Sequence, residues 1–245
     1  MIRVLALCAL SLTLLAGCVN AENSSAQHGS GNSANFGLNN DVTADASGAQ
    51  TVNGSIRVPA GQKSGNVGTV NGSIHIDDNA GVADAQTVNG SIGVGAHATA
   101  QALKTVNGEI TLEDSARIEH GIISVNGSLM LHHGSDVAGK LQNVNGHIEL
   151  DEAHVGGGID TVDGDIDVGA NSRVEGGILV RKRATGWFSW SGAQKPPRIV
   201  IGPGAVVKGD LRFEQPVHLY VSDTASIGPV SGATPVKFSG ATPPS

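Results

Sequence analysis

The chain has 245 residues, 39% of them hydrophobic, and a formal net charge of −7 at pH 7. That acidic balance argues against a general nucleic-acid binder and supports solubility and mutual repulsion. Aromatic residues make up only 3% of the chain against 35 glycines, a profile that suits narrow coils with thin aliphatic interiors and many tight corners.

Residues 1–18 carry Arg3 ahead of a short apolar run and end in Leu15-Ala16-Gly17-Cys18. An early cation, an apolar stretch too short to span a bilayer and small residues at its end mark an export signal. The last four residues resemble the lipobox of bacterial lipoproteins, which implies a signal peptide over 1–17, lipidation at Cys18 and attachment to a membrane through that lipid. Val19 and Asn20 follow, where Asp favours inner-membrane retention in Gram-negative lipoproteins, so the resemblance implies the outer membrane with the protein facing the periplasm. The competing reading is an ordinary signal peptide with a chance cysteine. Cys8 lies in the removable segment and Cys18 carries lipid, so no thiol is left for a disulfide, a metal or catalysis. Residues 18–49 are rich in Asn, Ser, Gly and Ala and form the lipidated start and a flexible tether, with Phe36 and Leu38 placed to begin a capping coil.

From residue 50 the chain repeats. Val-Asn-Gly stands at 52–54, 70–72, 88–90, 106–108, 125–127 and 144–146, and Val-Asp-Gly at 162–164, a recurrence every 18 or 19 residues. After each copy apolar and polar residues alternate (Ile56/Val58, Ile74/Ile76, Ile110/Leu112, Ile166/Val168), the period of a strand with one buried face. No segment after residue 20 sustains a helical period. A finer beat of six, such as Val70, Ile76, Val82 or Val106, Leu112, Ile118, makes three hexads one turn of a prism. A coil of ~18 residues closes a circuit of ~60 Å, and coils stack ~4.8 Å apart. The expected fold is all-β, a single-stranded parallel β-helix with three sides and about 18 residues per coil, over residues 50–230. A loop is inserted at 183–198. Residues 231–245 form a flexible C-terminal tail, with Val236 and Phe238 placed to lie on the last coil.

On this beat the tripeptide valine points inward. Asn-Gly then turns the chain using the positive φ both residues tolerate, and Asn53, Asn71, Asn89, Asn107, Asn126, Asn145 and Asp163 align as a structural corner ladder. Four copies continue with Ser and match a glycosylation sequon, but a corner explains them without sugar.

Residues 181–198 interrupt the repeat. They hold both tryptophans and five of the 15 basic residues, with no acid. Arg181, Lys182, Arg183, Trp187, Phe188, Trp190, Lys195 and Arg198 read as an interaction loop suited to an anionic lipid headgroup, a glycan or an acidic protein. The bland alternative is an aromatic plug folded back on the solenoid. His132 and His133 stack between Glu113-Asp114 and Asp151-Glu152 as weak metal candidates, against the simpler reading of surface charge pairing. His120, His147 and His154 stand singly, with no constellation for catalysis and no cofactor implied.

The Thr-Val-Asn-Gly-Ser-Ile series at 51, 69 and 87, the phrase Arg173-Val174-Glu175-Gly176-Gly177-Ile178 and the run 205–211 resemble bacterial DUF4097-type adhesins and polymer-forming, bactofilin-like β-solenoids over about residues 50–230. The resemblance implies a non-catalytic, lipid-anchored structural or adhesin-like scaffold of the cell envelope. Its partners would be the membrane, an envelope protein, a glycan or a second copy, with no nucleic acid. Bactofilins polymerise through solenoid ends, so an exported polymer former is the alternative; the export signal and the tails at both ends depart from that family. Neither family supplies catalytic residues. A solenoid enzyme acting on polysaccharide is the remaining reading, since architecture alone confers no activity.

Overall fold

The computed structural model describes residues 35–37, 41–183 and 195–243. Cys18, Leu38, Trp187, Phe188 and Trp190 lie outside them. The described residues form strands and turns and no helix. Their strands pair in parallel, apart from one isolated antiparallel bridge between Asp45 and Gly48. The β-solenoid read from the repeat is present, with three strand positions per coil.

The first wall is a sheet of eleven short strands among the described residues, from Val42–Thr43 and Ile56–Val58 to Val236–Phe238. The second and third walls share the other sheet. In early coils one long strand, such as Thr99–Asn107, runs through both walls, and its register against the following coil shifts between Ala100 and Ala102. Later coils divide the same path into two strands, Asp136–Val137 and Lys140–Gln142.

Like residues stack on like. Ile74, Ile92 and Ile110 share one register, continued by Leu129, Ile148 and Ile166, and all are 0–1% exposed. Ile166 then pairs with Ile199, so the column passes the insertion without a gap. Each buried aliphatic contributes about 1.5–3 kcal/mol of transfer free energy, realised between neighbouring coils rather than across a deep core.

Two expectations about the tripeptide are corrected. The interior is filled by the residue before each valine: Thr51, Thr69, Thr87, Thr105, Ser124, Asn143 and Thr161 are at most 4% exposed, while Val52, Val70, Val88, Val106, Val125, Val144 and Val162 are half-buried on the outside. Alternation counted from Leu103 or Ile122, both buried, lands on Thr105 or Ser124, and the hexad count missed this phase. A buried hydroxyl is tolerable when bonded. Thr69 Oγ1 donates to the Gly54 carbonyl at 3.0 Å, Thr87 to Gly72 at 2.9 Å and Thr105 to Gly90 at 3.1 Å. Asn143 Nδ2 reaches the Gly127 and Gly146 carbonyls at 3.1 and 3.2 Å.

The second correction concerns φ. At the tripeptide no Asn has positive φ, and the glycine has it in three copies, Gly108, Gly146 and Gly164, at 132–155°. The regular left-handed corner lies elsewhere, just past the first-wall strand, at Gly61, Asn79, His97, Ser115, Gly134, Glu152, Asn171 and Gly204, with φ of 47–70°. The strain of a non-glycine residue there is offset because its N–H turns to the next coil: Asn79 donates to Ala96 O at 2.9 Å and His97 to Asp114 O at 3.0 Å. At Asn-Gly the glycine is required chiefly by closeness. A Cβ on Gly72 would stand 2.0 Å from Gly54 O, and one on Gly127 1.8 Å from Gly108 O.

The stack extends past both expected bounds. Asn35–Gly37, inside the expected tether, pairs with residues 49–51. Val236–Phe238, inside the expected tail, pairs with Tyr220–Ser222, and Phe238 is 6% exposed.

Candidate interaction site at the interrupted corner

The corner amides form a ladder with one direction. Asn71 Nδ2 donates to Asn53 Oδ1 at 2.8 Å, Asn89 to Asn71 and Asn107 to Asn89 at 2.9 Å, and Asn126 to Asn107 at 3.0 Å. A carboxamide both donates and accepts, so each coil can extend the chain of bonds. Backbone bridges carry the corner on from Asn126 to Asn145 and Asp163. Asp163 has no amide hydrogen to give, and its Oδ1 accepts from Arg183 Nη2 at 2.6 Å instead.

One coil later the tripeptide is absent. Val180 stands in register with Thr161, and Ile199 with Ile166, so the 181–198 segment leaves and re-enters the solenoid at the place where earlier coils turn on Asn-Gly. Wall acids hold both legs. Arg181 grips Asp160 with two bonds, Nε to Oδ1 at 2.7 Å and Nη2 to Oδ2 at 2.5 Å. The Lys182 N–H donates to Glu214 Oε2 at 3.3 Å, and on the returning leg the Arg198 N–H donates to Asp165 Oδ1 at 2.7 Å. The Arg198 guanidinium sits 5.3 Å from the Tyr220 ring centroid, within cation–π range. The hydrogen bond to Asp160 holds the Arg181 guanidinium above its ordinary pKa. Arg181 is 44% exposed against 15% for Asp160, so screening limits this pair to about 1 kcal/mol.

The residues expected to act as one basic, aromatic surface therefore divide. Arg181 and Arg183 are neutralised by Asp160 and Asp163, and Arg198 lies against Tyr220. Lys182 and Lys195 are exposed and have no ion pair among the described residues. Trp187, Phe188 and Trp190 fall outside those residues. The acids of the stem were missed from sequence, although Val-Asp-Gly-Asp at 162–165 was a signal: the copy that replaces its corner Asn with an acid is the last before the insertion.

His133 Nδ1 lies 2.8 Å from Glu152 Oε2, both exposed, while the His132 N–H continues the backbone ladder to Leu112 O. Among the described residues no group of three or more His, Cys, Asp or Glu side chains is arranged to share a metal ion. A charge ladder that sequence reading also missed climbs the second wall. Arg117 and His154 lie 3.4 and 2.6 Å from Asp136. Glu175 receives Lys208 at 2.7 Å and Arg173 at 2.5 Å. The hydrogen bonds from Lys208 and then Arg173 hold the Glu175 carboxyl down at about 2.

No family model, curated protein or solved structure matches the chain.

Chemically, the corner is a clamp. A stacked wall fixes residues 181–183 and Arg198, the described legs of the segment, by carboxylates reaching across neighbouring coils.

Proposed function

We propose that this protein is a non-catalytic, lipid-anchored scaffold of the bacterial cell envelope, whose solenoid presents the 181–198 segment to an envelope partner. The observation that supports this reading is the clamp: Asp160, Asp163, Asp165 and Glu214 bind the two legs of the insertion. An insertion serving only as a linker has no need of ordered ends, whereas a binding segment gains from them because less freedom is lost on association. The lipobox-like residues ending at Cys18 supply the anchor in this reading. Deleting 184–194 from the full chain should abolish recovery of a partner in pull-downs from envelope extracts while melting temperature is kept. Recovery of the same partners by the deleted form would overturn the proposal.

A second reading, end-to-end polymerisation, is favoured by one observation. Val236–Phe238 pairs with Tyr220–Ser222 on one side and has no strand on its other side among the described residues. Val236 beside that open edge is 50% exposed, the exposed large hydrophobic among the described residues. A free edge next to an apolar side chain is a template for another strand. Filaments of the purified chain in electron micrographs, lost in Val236→Lys, would establish this reading; monodisperse protein at high concentration would remove it.

A further inference from the structure

Arg57, His75, Gly93 and Thr111 occupy consecutive coils at the central, outward position of the first wall. Gly93 leaves that column open at one coil. Its backbone does not demand glycine: φ is not left-handed, and a Cβ there would meet only His75 Nδ1, at an ordinary 3.7 Å. Two residues on, Gly95 is a different case, because a Cβ would stand 2.6 Å from Asp78 Oδ1. Together the two glycines open a hollow of about 470 Å³ whose lining includes Arg57, His75, Asp77, Asp78, Gly93 and Glu113.

The lining offers donors and acceptors on a floor of backbone. Arg57 Nε is bound to Asp77 Oδ2 at 2.8 Å while the side chain is 68% exposed, leaving the outer guanidinium nitrogens to donate. Asp78 Oδ1 accepts the Ala96 N–H at 2.9 Å, leaving its second oxygen to accept. Neither Glu113 nor His75 has an ion pair among the described residues. One cation against three carboxylates repels an anion. The rim of charged side chains disfavours a wholly apolar ligand, while the carbon atoms of the lining, Ala60 among them, leave room for a partly apolar face. What matches is a compact ring carrying several hydroxyls, each able to donate to a carboxylate and accept from Arg57 or His75.

We propose that this hollow binds a neutral saccharide unit, with the ring over Gly93 and its hydroxyls on Asp78, Glu113, Arg57 and His75. No residue of the 181–198 segment is among those that line the hollow, and the proposal does not depend on that segment. Isothermal titration of the full chain in detergent, with chitohexaose and maltohexaose as neutral probes and tetragalacturonate as an acidic one, tests it. At least one neutral probe should bind saturably, about tenfold or more tighter than the acidic probe. Glu113→Gln should weaken that binding about tenfold, as expected for losing one charged hydrogen bond. Gly93→Leu should abolish it with the melting temperature kept; if Leu disturbs folding, Gly93→Ala, which the backbone accommodates, should still weaken it. Absence of saturable binding up to roughly 10 mM, near the weak limit of specific association, would overturn the proposal. So would equal affinity for tetragalacturonate, or neutral binding unchanged in the Gly93 and Glu113 variants. The deletion pull-down is unaffected by any of these results.

Discussion

The coils before Asp163 and those after it solve the same stacking problem differently. In the first group the spacing is 18 or 19 residues, corners are joined by neutral amides from Asn53 to Asn126, and the buried hydroxyls of Thr69, Thr87 and Thr105 bond to corner carbonyls. In the second, 33 residues separate Ile166 from Ile199 in adjacent strands, the corner amide is replaced by the Arg183–Asp163 pair, and ion pairs such as Lys208–Glu175 link the coils, as Arg57–Asp77 and Arg117–Asp136 also do in the first group. An amide ladder works only while every coil places the same group at the same height. Long charged side chains reach partners over a range of geometries, so they tolerate irregular coils. The insertion occurs where the amide ladder has given way to charge.

The largest effect that sharpens this contrast lies inside the regular half. Ile110→Ala, at a site 0% exposed, should destabilise by about 2–5 kcal/mol in chemical denaturation, whereas Val106→Ala, on the half-buried outer face, should stay under about 1 kcal/mol. Equal losses would return Val106 to the interior. Next in size is the corner glycine. Gly90→Ala puts a methyl 1.9 Å from the Gly72 carbonyl oxygen and should lose at least about 2 kcal/mol, against less than about 0.5 kcal/mol for Gly93→Ala; similar melting curves for the two would refute the close-stacking account.

A smaller effect separates the amide corner from the acidic one. Asn107→Asp removes the donor to Asn89 and sets an anion against its carbonyl oxygen, a loss of about 1–2 kcal/mol. Asp163→Asn gives up Arg183 but regains a group able to donate, and should change stability by less than about 0.5 kcal/mol. If the two substitutions are equally harmful in thermal melts, the ladder is decorative. The smallest effect is a pH response at Glu175, in the second group of coils. Glu175 titrates at about 2 in the folded chain against an ordinary 4.5. Between those values the unfolded chain takes up a proton that the folded chain refuses, so the contribution is present above pH 4.5 and is lost as pH falls toward 2. The fall in melting temperature from pH 6 to pH 3 should be smaller in Glu175→Gln than in the parent. An unchanged fall would detach Glu175 from acid stability.

The repeat was legible because it is written in residue types: Ile74 over Ile92 over Ile110, and Asn over Asn at the corner. The phase of the third wall was not, since a beat of six starting at Val70 and an alternation ending at Thr69 fit the same letters. The carbonyl that satisfies Thr69, on Gly54, is a backbone atom with no letter of its own. The left-handed corner was hidden for a similar reason. Asn79, His97, Ser115 and Glu152 share a backbone state and no chemistry. At the interrupted corner the basic residues stood out as a cluster, but their partners lie 20 residues or more away in sequence, as with Arg183 and Asp163, and only the folded stack brings them together.

The ladder's single direction makes the prism extensible. Between Asn53 and Asn126 each corner gives a hydrogen to the coil before it and takes one from the coil after it, so a whole coil copied or excised in this stretch closes with the same bonds on both sides. Length can then vary in steps of one coil, about 4.8 Å each, while a partial coil leaves an amide facing nothing. If the protein presents the 181–198 segment as proposed, unequal recombination between the regular repeats would set its reach without altering the coils that hold it.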